Sequence, residues 1–598
     1  MATYIDGYYI ASSVSNQYGF NNLERIEVLK GPQGTLFGRN ATGGVIQLVT
    51  KDPTEDVHGN FEIGYGNYQA VDANAYLTGG LAKNLAADVA IQYHDQGKGF
   101  GRNITTGNDL YKDETIAVRS KFVYTGESTK VSLFLNYEKL TSDGLVLQFA
   151  PATRAIYGYP DTGRFDIQNQ VDPYQRARKK FVGLRIEQDL GFAKLVSSSF
   201  YAKYDQEYGQ NYDALTPANN GGGYATDAST QFSQEIQLIG ADTSRFQWQV
   251  GGYLFKFKSD TILSLNGPFF APNPSLYSTG KTSSVAVYGQ ATYEIVDNLK
   301  LTGGLRYTFD KYRTENAHIA IPSFGLDLPS PDRRRTANKP TWRLSLDYQA
   351  TPDVLAYVSY NRGVKSGGFS AYSQASAGYN PEQLDAYEAG LKSQLFNRAL
   401  RLNFSGFYYD YKDLQVNIID PCGCSSQIRN AATARVYGLD VDFEIAPVKN
   451  FTLSGGFGLL DAKYKDFPGS PSTLPDGSAT VINAGGNRMI NSPKFSGSAT
   501  AAYVMPTEAG DFRASATVTN KGLTYTAPDN IPVLPGYTLL NASLGWTSTD
   551  ERYGVELWAL NLTDKNYYVQ MTPVSVPFGY VQMAGPPRTY GVRLKAKF

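Results

Sequence analysis

From about residue 57 to the C-terminus the chain repeats one pattern: segments of roughly ten residues in which apolar and polar side chains alternate. That period of two belongs to β-strands whose two faces meet different surroundings. In the last segment Tyr590, Val592, Leu594, Ala596 and Phe598 share one face, with Thr589, Gly591, Arg593, Lys595 and Lys597 on the other. At 131–138 Val131, Leu133, Leu135 and Tyr137 alternate with Ser132, Phe134, Asn136 and Glu138. The segment 299–310 does the same. Twenty-two such strands are predicted, the first at about 57–67 and the last at 588–598. The connections alternate in length. Short ones such as Val296-Asp297 and Ala350-Thr351-Pro352 alternate with long ones at 95–113, 139–177, 205–230, 259–280, 310–339, 413–432, 462–492 and 562–587. A transmembrane barrel has short turns at one rim and long loops at the other, whereas a soluble sandwich or propeller has no reason to couple loop length to strand parity. Twenty-two strands enclose a lumen too wide for side chains to fill, so the polar face lines the interior and the apolar face meets lipid.

Residues 1–54 have a different character. Leu23–Lys30 reads as a short amphipathic strand ending at the turn Gly31-Pro32-Gln33-Gly34, and Val45–Val49 as a second strand after a glycine-rich loop. The prediction is an all-β protein: a 22-stranded antiparallel transmembrane β-barrel over 55–598, with a partial N-terminal plug over 1–54 inside its lumen.

Composition narrows the function. Fifty-five Lys+Arg balance 55 Asp+Glu, which leaves no global basic field for nucleic acid. Forty-four tyrosines suit membrane–water interfaces. Mean hydropathy is −0.34 and no apolar run reaches 18 residues, which excludes membrane helices but not barrel strands. His58, His94 and His318 are scattered, and no metal, cofactor or catalytic constellation stands out. The segment Gly455-Gly456-Phe457-Gly458 lies within an alternating strand, not a nucleotide loop. Cys422 and Cys424 fall in a long connection. A disulfide across so small a ring is strained, yet Gly423 is permissive and an outer location oxidising, so the pairing stays open beside a weaker metal reading.

The run Glu24-Arg25-Ile26-Glu27-Val28-Leu29-Lys30-Gly31-Pro32-Gln33-Gly34-Thr35-Leu36-Phe37-Gly38-Arg39-Asn40-Ala41-Thr42-Gly43-Gly44-Val45-Ile46 resembles the plug motif of TonB-dependent outer-membrane receptors. Ser359–Phe369, Pro381–Ser393, Tyr408–Gln415, Leu560–Tyr567 and Pro587–Phe598 are similar to the family's barrel, so the resemblance spans nearly the whole chain. It implies a non-enzymatic transporter of the Gram-negative outer membrane, acting as a monomer. A loop-lined mouth binds a scarce solute, most often a ferric siderophore, and TonB with its inner-membrane energising complex pulls on the plug. It also implies that the terminal aromatic Phe598 serves barrel assembly. The signal peptide, the TonB box and the first part of the plug are not found before Met1. Two explanations are open: a start placed within a longer gene, or a shortened, uncoupled binding receptor. A passive pore and a secreted adhesin or hydrolase are the competing classes; the plug motif argues against the pore, and the alternating loops argue against the secreted protein.

Within the plug, Arg25, Glu27 and Arg39 are expected to contact lumen charges that hold or release it, against plain strand and turn solvation. Gly31, Gly34, Gly38, Gly43 and Gly44 are expected at positive-φ turns or close packing. Two basic clusters, Arg176, Arg178, Lys179 and Lys180, and Arg333, Arg334, Arg335 and Lys339, lie where strands re-enter from the long-loop side. They could draw an anionic ligand such as a ferric siderophore, or contact lipopolysaccharide phosphates at the rim.

Overall fold

The computed structural model describes the chain except residues 12–18, 20–21, 212–221, 242–244, 268–270, 371–377, 420–425 and 575–578. Cys422 and Cys424 lie outside the described residues. Twenty-two antiparallel strands close into one barrel, from His58–Gly66 round to Thr589–Lys597, and a short Leu326–Pro329 segment extends one hairpin. Closure pairs Gly591–Lys597 with 60–66, so that Lys597 faces Asn60 and Gly591 faces Gly66. One residue further on, Phe598 and Gly59 exchange backbone hydrogen bonds of 3.1 and 3.0 Å, which ties the terminal aromatic into the seam.

The alternation translates into two walls. On strand Ser275–Val296, Val285 and Val287 face outward at 50% and 62% exposure, while the alternate residues Ala286 and Tyr288 are buried. Leu305, Tyr307 and Phe309 continue this apolar outer wall on Leu299–Ile321. The inner wall carries charge ladders: Arg593 lies 3.0 Å from Glu62, and Lys595 lies 2.9 Å from Glu556.

Several strands run well past their predicted ends. The alternating segment at 299–310 extends over Leu299–Ile321, and the strands Arg333–Thr351 and Ser426–Ile445 begin inside the long connections at 310–339 and 413–432. The hydrogen-bonded ladder continues above the apolar band, where the outer face turns polar and the alternation fades. The long connections at 205–230, 259–280, 310–339 and 413–432 are therefore largely paired strand. The 139–177 connection holds a helix, Pro151–Tyr157, which packs by Thr153 against Pro475 and Tyr580.

Inside lies a four-stranded sheet of β1 (Ala2–Ile5), β2 (Tyr8–Ile10), β3 (Leu23–Lys30) and β4 (Gly44–Thr50), in the order β2-β1-β4-β3. β1 runs parallel to β4 and antiparallel to β2. The two N-terminal strands are too short to show a period in the sequence. Asp6 and Gly7, both at positive φ (48° and 83°), turn one into the other.

Candidate functional site

The inner sheet is held against one sector of the wall by an apolar face. Ile5, Tyr8, Ile10 and Leu48 form a cluster with Phe134, Phe181, Phe200, Ala202 and Tyr204, which point inward from adjacent barrel strands. Tyr8 stacks on Phe200 with ring centroids 4.9 Å apart. Phe134, which sits on the polar side of its strand, is thus a docking residue for the plug rather than a break in the pattern.

Polar groups fix the register of plug and wall. Gln231 donates to the Tyr9 carbonyl at 2.6 Å and accepts from the Ala11 amide at 3.0 Å, as a barrel side chain extending the plug's backbone ladder. Thr341 donates to the Gly34 carbonyl, and the Ser366 amide donates to Asn40. Where the plug joins the barrel, the Lys121 ammonium is buried. It donates to the Thr50 carbonyl at 3.2 Å and to Asp52 at 3.0 Å, with Asp6 at 3.4 Å. Lys130 takes the other Asp52 oxygen at 2.7 Å. Burial pushes the Asp52 carboxyl up, but the Lys130 and Lys121 contacts outweigh it, so it lies below its ordinary value. Burial also raises the Tyr4 phenol, which stays neutral and donates to the Phe37 carbonyl.

Arg39 stands at the end of the plug nearer the long connections. Its guanidinium lies 4.7 Å over the Phe255 ring, and its Nε and Nη1 are buried without a hydrogen-bond partner among the described residues. Above it opens a cavity of about 350 Å³ lined by Tyr9, Phe257, Tyr312, Lys365, Phe369 and Tyr379 among others. Asp310 is buried beside it, accepting from Tyr312 at 2.6 Å and from Ser366. Aromatic rings, cations and an under-satisfied guanidinium together suit an anionic solute with planar groups.

The other expected plug residues fall differently. Arg25 pairs within its own strand, with Glu27 at 2.6 Å and Glu24 at 3.5 Å, rather than with the wall. Lys30, not singled out from the sequence, makes the reach instead, to Asp442 at 3.3 Å. Gly31, Gly38 and Gly44 have positive φ; at Gly34 a Cβ would stand 3.3 Å from the Arg362 carbonyl; Gly43 shows neither feature. At Gly38 a Cβ would stand 2.7 Å from the Arg306 guanidinium, itself held between Tyr253 and Tyr288.

Strand parity divides each basic cluster. Lys179 points inward, 2% exposed, and bonds Glu138 at 2.7 Å, whereas Arg176, Arg178 and Lys180 point outward. Arg333, Arg335 and Lys339 share the inward face of Thr341, and Arg334 faces out. Arg335 donates to Asn380 at 2.6 Å, and Arg333 lies 5.2 Å over Phe369 at the cavity rim. A run of neighbouring residues in a strand cannot act as one patch, because successive side chains leave on opposite sides of the sheet.

A model of the TonB-dependent receptor plug domain matches residues 1–45, and one of the TonB-dependent receptor-like β-barrel matches residues 51–562. The chain belongs to the TonB-dependent receptor family. This receptor is similar to the pesticin receptor of Yersinia pestis, at 24% identity over all of this chain and 84% of that protein. It is also similar to a catecholate siderophore receptor of Escherichia coli, at 22% identity over 98% of this chain and 82% of that protein. In fold it resembles the ferric yersiniabactin uptake receptor of Yersinia pestis, with a TM-score of 0.86 at 19% identity, covering 100% of this chain and 88% of that one. The siderophore receptor PiuA of Acinetobacter baumannii gives 0.83 at 17%, covering 100% and 89%. The family consists of receptors and transporters of the Gram-negative outer membrane, and its plug-bearing members work with TonB. The receptor's long connections accordingly face outside and its short turns the periplasm.

Proposed function

We propose that this receptor captures a ferric siderophore at the outer face and passes it inward when TonB displaces the plug. The observation that carries the reading is the cavity over Arg39: a plug guanidinium with unused donors, set among rings contributed by the barrel. A solute seated there touches plug and wall together, so its binding is felt by the element that must move. In this reading residues 1–54 are plug and 55–598 barrel, the receptor sits as a monomer in the outer membrane, and the protein does no covalent chemistry. Arg333 and Arg335 belong to the rim that draws an anion in. The relatives' printed names, a pesticin receptor and a catecholate siderophore receptor, support the solute class.

The test is iron uptake in the native host, with the gene deleted and restored at its own locus. Labelled ferric siderophore should enter only with the gene present and should stop when TonB is absent or the proton gradient is collapsed. Uptake that continues without TonB would instead establish a passive pore.

A further inference from the structure

The outer wall carries a feature that uptake does not use. Lys180, Lys203, Thr230, Lys258, Lys281, Arg313 and Arg334 are consecutive cross-strand partners over seven adjacent strands, from Tyr174–Asp189 to Arg333–Thr351. All seven side chains leave on the outward face, as the burial along each strand shows. Six of the seven are cations, and four of them, Lys258 to Arg334, stand directly opposite one another in unbroken succession. Lys256 and Lys311 lie on the same face one step nearer the membrane. Like charges directly opposed destabilise a sheet, so such a row calls for counter-charge from elsewhere.

The protein supplies only part of that counter-charge. Asp205 lies 3.5 Å from Lys203, Asp260 lies 2.6 Å from Lys258, and Glu315 lies 2.5 and 3.8 Å from Lys281 and Arg313. Among the described residues eight cations thus face three carboxylates, and all three carboxylates stand one step further from the membrane. The membrane-side flank is open.

The height of the row is fixed by the same strands. Below Lys180 the outward positions are Val182, Leu184 and Ile186; below Arg313 and Lys311 they are Phe309, Tyr307 and Leu305. Tyr201 and Phe232 mark the change from apolar to charged on the intervening strands. Along the strands the row lies about 7 Å above the last apolar residues at Lys180, Lys203 and Thr230 and about 13 Å above them at Lys258, Lys281 and Arg313, two and four strand residues at ~3.3 Å each. It lies towards the long connections, hence at the headgroup level of the outer leaflet.

We infer that this row is a binding site for the phosphorylated sugar headgroup of lipopolysaccharide, held on one sector of the barrel's outer wall. The inference rests on the outer-membrane placement above and is independent of the siderophore. A multiply phosphorylated headgroup brings several negative charges at one depth, where the row presents lysines and arginines side by side. Its acyl chains then lie along Val182, Phe309 and Val285. Multivalent contact makes retention depend on the row as a whole.

The test is the lipid that the full protein keeps when extracted from its native outer membrane in mild detergent and washed on a column. Lipopolysaccharide is quantified by mass spectrometry. The native receptor should retain about one molecule per barrel. The variant K180Q/K203Q/K258Q/R334Q, whose four residues lie outside the lining of the Arg39 cavity, should lose at least tenfold in retention while binding ferric siderophore as before. Delipidated native protein, which needs no variant, should rebind intact lipopolysaccharide, and should fail to rebind material stripped of its phosphates. Retention unchanged in the variant, equal binding of dephosphorylated lipopolysaccharide, or equal capture of phosphatidylglycerol vesicles or inorganic phosphate would overturn the assignment. Loss of siderophore binding by the native protein leaves these lipid readouts intact and bears only on uptake.

Discussion

The Lys121 ammonium lies 3.0 Å from an Asp52 oxygen and 3.4 Å from Asp6, so one buried barrel lysine grips both the first plug turn and the segment that leads out of the plug. Lys121 is only 7% exposed and Asp6 13%, whereas Asp52 is half open to water. Removing Asp6 leaves a buried cation short of charge, which costs on the order of 3 kcal/mol for a buried pair. Removing Asp52 costs less, because solvent already screens it. Amide exchange across β4 should accelerate strongly in D6N, weakly in D52N, and remain native in a control such as E55Q.

The same grip sets a pH dependence. The Asp52 carboxyl lies below its ordinary value in the folded receptor, so its contribution is complete above the ordinary carboxylate range and is lost as pH falls through the depressed value. Protection of residues 50–54, taken relative to the intrinsic exchange rate at each pH, should therefore be level from neutral pH down to about 5 and fall only below about 4, near the reference value for aspartate. In D52N that acid step should be missing.

Arg39 has unused donors and a stacked ring beneath it. R39A should weaken ferric siderophore binding by tenfold or more, equivalent to about 1.4 kcal/mol, and R39K should recover only part, since an ammonium lacks the planar fork. Fluorescence quenching titration measures both. Thermal unfolding should shift little.

Gly38 is left-handed at φ +74°, with the Arg306 guanidinium 2.7 Å from where a Cβ would stand. G38A should destabilise the plug by about 1–2 kcal/mol from backbone strain alone, and displacing Arg306 adds to it. G43A, where a Cβ would stand 3.8 Å from the Met1 amino nitrogen, should be close to neutral. Chemical unfolding followed through plug tryptophan probes placed in β4 distinguishes the two.

Phe200 stacks on Tyr8 from the inner wall. F200A should cost about 3 kcal/mol of plug docking by opening a cavity, while heat-modifiable migration of the barrel stays native. That separation is expected because the barrel's own ladder closes without the plug.

The 22 strands were readable because lipid and lumen impose opposite chemistry on alternate residues, and Val285, Ala286 and Val287 show it at single-residue resolution. Strand ends were not readable, because past Phe309 the outward face turns polar and Lys311 to Ile321 no longer alternate in hydrophobicity. Phe134 and Phe200 interrupt the polar face where the plug docks, a contact made between distant segments and invisible to local periodicity. Arg25 and Glu27 were expected to meet the wall but satisfy each other two residues apart. Asp6, Lys121, Gln231 and Thr341 escaped notice because an isolated polar residue on an inward face looks like any other until its partner is known. The basic clusters were found, but their division by parity needed the register.

The account depends most on which wall faces lipid and which faces the plug. Spin labels placed singly from 281 to 289 in the receptor reconstituted in bilayers measure this by collision with oxygen and with a water-soluble nickel complex. Oxygen access should peak at 285 and 287 and drop at 284, 286 and 288, with nickel contact rising towards 281. Labels at 284, 286 and 288 that are the lipid-exposed ones, or a profile without alternation, would contradict it.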